Sequence, residues 1–132
     1  MASFPSALFL REAEVRRGLE LMFAGQAALA RVIEPILADA ELGRAHQRAL
    51  YFIGRHPDLT VGALLSYLGI TKQSLNRVLN ELAERGFVEV RTGRDDRRQR
   101  LLRLSDSGRA LEARLFEAMR ARLAAAYAEA GQ

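Results

Sequence analysis

The stretch "RTGRDDRRQRLLRLS", residues 91–105, restricts the fold more than any other part of the chain. Six arginines fall within thirteen residues (Arg91, Arg94, Arg97, Arg98, Arg100, Arg103), interrupted by Asp95 and Asp96, before leucines return in alternation. A solvated linker tolerates such arginines but has no use for the leucines. A buried strand needs the leucines but cannot keep unpaired guanidinium groups out of water. A hairpin satisfies both demands. Upstream, "FVEVR" alternates, with Val88 and Val90 on one face and Phe87, Glu89 and Arg91 on the other. "RLLRLS" places Leu102 and Leu104 on one face and Leu101 and Arg103 opposite. Residues 92–99 then form a long basic tip.

Charge distribution points the same way. The chain of 132 residues has a formal net charge of +4, with 49% apolar and 27% charged residues. Residues 71–109 hold ten basic and six acidic side chains, and the remainder holds ten of each. One third of the protein therefore carries the whole imbalance. Only Lys72 among the cations is a lysine, so position says more than residue type. The length fits one domain. The absence of cysteine excludes disulfides, thiolate metal sites and thiol redox sensing. The apolar run in "MASFPSALFLREAEVRRGLE" is too short for a signal-peptide core or a membrane span, so the expectation is a cytoplasmic protein with no membrane partner.

The rest reads as helices. From residue 7 to about 37, Leu8, Val15, Leu19, Met22, Leu29, Ile33 and Leu37 recur at three- and four-residue steps, and Pro35 is expected to bend or end the helix. "AHQRALYFIGRH" is a second helix with Ala49, Leu50 and Ile53 inward, stopped by "HPDLT". Thr60 caps a short third helix, "VGALLSYL", and Gly69 breaks it tightly. Thr71 caps "KQSLNRVLNELAER", with Leu75, Val78, Leu79 and Leu82 as its buried stripe and Gly86 as a left-handed stop. Ser105 or Asp106 caps a last helix in which Leu111, Leu115, Met119, Leu123 and Tyr127 recur every fourth residue, beside Phe116 and interrupted by Glu112.

Two short helices joined by a tight turn and followed by a hairpin make a winged helix-turn-helix, mainly α in class. The polar side of residues 72–85 presents Gln73, Asn76, Arg77 and Asn80, side chains suited to base edges: Arg pairs with guanine, Asn or Gln with adenine. The helix start, with Thr71, Lys72 and Ser74, offers N–H groups and hydroxyls to a phosphate. Such a helix fits the major groove while the arginine tip reaches the adjacent minor groove. Either feature alone is commonly just a solvated surface. Their order and spacing together favour duplex DNA.

This stretch, "LTVGALLSYLGITKQSLNRVLNELAERGFVEVRTGRDDRRQRLLRLSDSG" (residues 59–108), resembles the MarR family of bacterial transcription regulators. Within it, "GFVEVRTGRDDRRQRLLRLS" is similar to the family's wing, where an Asp-x-Arg pair precedes the second strand. The resemblance implies that Arg98 enters the minor groove and that Asp96 orients it through a salt bridge, with Arg97 between them; Arg94 and Arg97 of the basic tip are further candidate DNA contacts. Asp95 reads as charge balance. Two positions depart from the family pattern: Asn76 stands where Ser or Thr is commoner, and Gly43 where a capping Thr is usual. Members often respond to small phenolic or acidic ligands, so a small-molecule effector is allowed by resemblance, though no cofactor is called for.

A helix of some thirty residues outruns the winged body, so its stripe and that of the last helix call for a second subunit. The expected organisation is a single domain, 1–132, with dimerisation helices at 1–42 and 106–132 around a winged unit at 43–105, acting as a homodimer on a pseudo-palindromic site. Packing of the two terminal helices on each other within one chain is the alternative. His46 and His56, the only histidines, have no ligand cluster near them and read as structural or solvated. Tyr51 and Tyr67 read as packing residues. Neither a phosphate-binding glycine loop nor a catalytic set is evident, so no enzyme is expected. The competing reading is a winged module that binds an acidic protein partner; single-stranded RNA is disfavoured by the lack of aromatics beside the arginines.

Overall fold

The structure, a computed structural model, describes residues 11–130. In order it contains α1 (Glu12–Asp39), α2 (Arg44–Arg55), β1 (Leu59–Thr60), α3 (Val61–Leu68), α4 (Lys72–Glu84), β2 (Val88–Thr92), β3 (Arg100–Leu104) and α5 (Asp106–Ala130). The three strands form one antiparallel sheet in the order β1-β3-β2. The fold is mainly helical with a small wing sheet, as expected.

Local signals act where the sequence places them. The Thr60 hydroxyl accepts from the Ala63 N–H at the start of α3, and Thr71 does the same for Ser74 at the start of α4. Gly69 and Gly86 have positive φ, 64° and 78°, and end α3 and α4. Ser105 caps α5 by accepting from Gly108, while the Ser105 and Ser107 hydroxyls both donate to the Gly86 carbonyl. This fastens the end of the hairpin to the end of α4. Gly108 is required at the junction, because a Cβ there would lie 2.0 Å from the Phe87 carbonyl oxygen.

Leu50, Ile53, Leu64, Leu75, Leu82, Leu102 and Leu115 are buried in one core shared by α2, α3, α4, β3 and α5. Ile33 and Leu37 carry the end of α1 into it. Three details differ from expectation. First, α1 runs through Pro35 to Asp39, because Ile33 and Leu37 are buried on either side of the proline and hold its last turns against the core; Leu8 lies outside the described residues. Second, "HPDLT" does more than stop α2. Asp58 takes a left-handed φ of 64° and its N–H donates to the Leu102 carbonyl, turning the chain into β1. Third, Val90 is exposed although Val88 and its own cross-strand partner Leu102 are buried, because β2 is the edge strand of the sheet while β3 is central.

The N-terminal part of the α1 stripe finds no cover among the described residues. Val15, Leu19, Leu21, Met22 and Phe23 are all exposed, Met22 at 64% and Phe23 at 65%. By length and composition alone this helix is apolar enough to cross a membrane. It packs on α5, where Phe116 and Leu123 are also exposed.

Candidate nucleic-acid interface

Helix α4 divides cleanly around its axis. Leu75, Val78, Leu79 and Leu82 are buried, Gln73, Arg77 and Asn80 are exposed on the opposite side, and Lys72 is exposed at the helix start. Asn76 sits between the two. It is half-buried, and its Oδ1 is enclosed with no hydrogen-bond partner among the described residues, so it is less open than its helical position suggests. At the helix start, Thr71 Oγ1 accepts from the Ser74 N–H and donates to Ser74 Oγ at 2.9 Å, which commits the Thr71 hydroxyl to the cap. The Ser74 hydroxyl keeps its own proton as a donor.

The hairpin register pairs Val88 with Leu104, Val90 with Leu102 and Thr92 with Arg100. Beyond it, the tip closes on two backbone bonds, Gly93 N–H to Gln99 carbonyl at 2.9 Å and Gln99 N–H to Asp96 carbonyl at 3.0 Å. A Cβ on Gly93 would stand 2.7 Å from the Asp96 carbonyl oxygen, so the turn requires glycine. Asp96 Oδ1 then accepts twice from Arg98, from its backbone N–H at 3.0 Å and from Nε at 3.3 Å. The Arg98 side chain is held at its base yet remains 92% exposed. Arg91, Arg94, Arg97 and Arg100 are exposed and form no salt bridge among the described residues.

Arg103 behaves differently. Its Nε and Nη2 donate to the two Asp58 oxygens at 2.7 and 2.9 Å, a bidentate fork from β3 to the chain entering β1. The Arg103 hydrogen bond holds the Asp58 carboxyl below the usual carboxylate range, and the same bond raises Arg103. Asp58 was not singled out from sequence. An outward arginine at the base of a basic hairpin was the available signal, but its partner lies 45 residues away. Tyr67 packs as expected, stacked on Phe52 at 4.5 Å and on His56 at 5.3 Å between ring centroids, but it does so at the surface, 47% exposed, rather than in the core. No metal-binding cluster occurs among the described residues.

An exposed polar helix face and a preset cationic tip on one rigid core are the parts of a duplex-binding module. Residues 41–99, from the end of α1 to the wing tip, match the MarR family. Over 124 residues the chain is 49% identical to the HTH-type transcriptional regulator PetP of Rhodobacter capsulatus, covering 94% of this chain and 75% of PetP. The chain belongs to the MarR family.

As a MarR-family protein it is a DNA-binding transcription regulator and not an enzyme. Its fold is close to that of CouR, a transcriptional repressor solved bound to a 23-mer DNA duplex, with a TM-score of 0.66 and 25% identity over 86% of this chain and 80% of CouR. A MarR family protein of Mycobacterium tuberculosis, solved in complex with p-aminosalicylic acid, shares the fold at a TM-score of 0.62 and 24% identity, over 83% of each chain.

Proposed function

We propose that this MarR-family regulator binds a pseudo-palindromic duplex site as a homodimer in the cytoplasm, with α4 in the major groove and the wing tip in the adjacent minor groove. The observation that carries this reading is Arg98, held by Asp96 yet exposed at the wing tip, on the same winged unit as the exposed Gln73, Arg77 and Asn80 row of α4. Arg77, Asn80, Asn76 and Gln73 read bases. Lys72 and the Ser74 hydroxyl at the helix start, with the Thr71 backbone N–H rather than its committed hydroxyl, and Arg94 and Arg97 at the tip, meet phosphates. Anchoring Arg98 beforehand lowers the rotamer entropy lost on entering the groove.

Dimerisation is supported by the uncovered apolar side chains of α1 and α5. The dimerisation segments in this reading are 1–42 and 106–132, of which 1–10 and 131–132 lie outside the described residues, and 43–105 is the DNA-binding unit. Large contiguous apolar surface of this kind calls for a partner, and a second copy aligned by symmetry also duplicates α4 at a fixed separation. A small-molecule effector fits the same reading: an open, largely apolar groove of about 350 Å³ lies between α1, α2 and α5, bordered by Leu29, Gln47, Tyr51, Phe116, Met119 and Leu123.

Footprinting on the DNA flanking its own gene tests the proposal. The expected result is a protected two-fold site whose affinity falls by about 0.9 log unit per neutralised phosphate for each log unit of salt. Absence of any protected site at low salt refutes it and favours an acidic protein partner instead.

A further inference from the structure

Burial of Leu75, Val78, Leu79 and Leu82 holds α4 against the core, but apolar contact is not directional and tolerates rolling of the helix. Two polar contacts at the border between its buried and exposed sides remove that freedom. His46, on the first turn of α2, has Nε2 2.9 Å from Glu81 Oε1, while its Nδ1 accepts from the Gly43 N–H at 3.0 Å. Because Nδ1 is an acceptor, the neutral ring carries its proton on Nε2 and donates it to Glu81. One turn further along α4, the Arg85 guanidinium donates to the carbonyl of Ala40, the C-cap of α1. Residues 81 and 85 lie on the same flank of the helix. Both contacts end on one short corner, residues 40–46, where α1 turns into α2.

The geometry points to His46 and Arg85 as positioning residues that lock the rotation and tilt of α4 to the end of α1. This inference rests on the paired reading above and deepens it. The corner is the last part of the dimerisation helix, so the separation of the two α4 helices in a dimer is set by α1 through these contacts. Gly43 has no side chain to accept from the first turn of α2; His46 contributes the reciprocal half of a capping box, accepting the Gly43 N–H through Nδ1 while its Nε2 faces α4. With its side chain 14% exposed, His46 is enclosed enough to be held in one orientation.

The test uses the footprinted site and variants in which its half-sites are moved apart or together by one or two base pairs. Wild-type protein is expected to prefer one spacing sharply. His46→Ala and Arg85→Ala are expected to flatten that preference, reducing the affinity ratio between best and neighbouring spacings by about threefold or more. Glu81→Gln keeps an acceptor for Nε2 and is expected to retain the wild-type preference. Equal loss of affinity at every spacing in His46→Ala marks a merely structural residue and overturns the inference, leaving the paired reading intact. A wild-type protein indifferent to spacing removes the paired reading and this inference with it. A nitroxide on Glu84→Cys, specific because the chain has no cysteine, gives a DNA-free measure. The distance distribution between the two labels is expected to broaden in His46→Ala, and an unchanged distribution also overturns the assignment.

Discussion

Of the six arginines between residues 91 and 103, Arg98 and Arg103 have carboxylate partners, and the two partnerships differ in kind. Asp96 takes one guanidinium nitrogen of Arg98 and leaves the others to project, whereas Asp58 takes two nitrogens of Arg103. The first pair presents an arginine and the second ties down the hairpin. Replacing Arg98 with Ala is therefore expected to weaken binding to specific and scrambled duplexes alike. Arg77→Ala is expected to relax sequence preference as well, at about 1–3 kcal/mol for a good base contact. Competition titrations against both duplexes check this, and an Arg77→Ala protein that keeps the wild-type discrimination ratio removes its base-reading role. Asp58 yields a pH prediction. Its carboxyl is lowered in the folded state by the Arg103 hydrogen bond, so through that window the unfolded chain binds more protons. The stabilisation is complete above the unfolded value and is lost as pH falls through the lowered folded value. Asp58→Asn is expected to melt below wild type at neutral pH, with the gap closing as pH falls through the lowered Asp58 value, read from melting temperatures in neutral to acidic buffers; a gap that does not change with pH excludes the fork as a contributor.

At the scale of elements, the junction between the hairpin and α5 is the tightest point. Gly108 passes so close to the Phe87 carbonyl that any side chain must displace either β2 or the first turn of α5, and that turn is secured by the Ser105 and Ser107 hydroxyls on Gly86. Gly108→Ala is expected to cost about 2 kcal/mol or more, seen as a lower melting temperature, and an unaltered melt contradicts the close approach. Much of this architecture was legible in the sequence because short-range rules govern it: threonine caps, left-handed glycines and the period-two leucines each act within a few residues. The Asp96–Arg98 link was read through family resemblance and is present. What escaped was long-range. Asp58 meets Arg103, Glu81 meets His46 and Arg85 meets Ala40 only once tertiary packing has brought separate elements together. Of the two outcomes expected at Pro35, ending the helix does not occur, since burial of Ile33 and Leu37 outweighs a local preference to stop there.

For the molecule as a whole, the described residues form a closed lobe with an open rod. α1 is 28 residues long, about 42 Å, and its buried residues, Ile33 and Leu37, both lie in its last two turns. Substituting Glu for Phe23 or Met22 places a charge in the proposed subunit contact. The expected outcome is a monomer by light scattering whose lobe still melts cooperatively but whose operator affinity falls by orders of magnitude, because one half-site contact replaces two. Wild-type melting temperature is expected to rise with protein concentration, as mass action requires for a folded dimer. A concentration-independent melt and an unaffected Phe23→Glu protein together place the subunit contact elsewhere.

The uncovered stripe on α1 also bears on dosage. If a competent reader exists only after two chains meet, its amount grows with the square of copy number while chains are scarce. Promoter occupancy then switches on across a narrower range of expression than a solitary binder would give, and a truncated chain that keeps α1 but lacks the wing acts as a dominant poison by capturing intact partners.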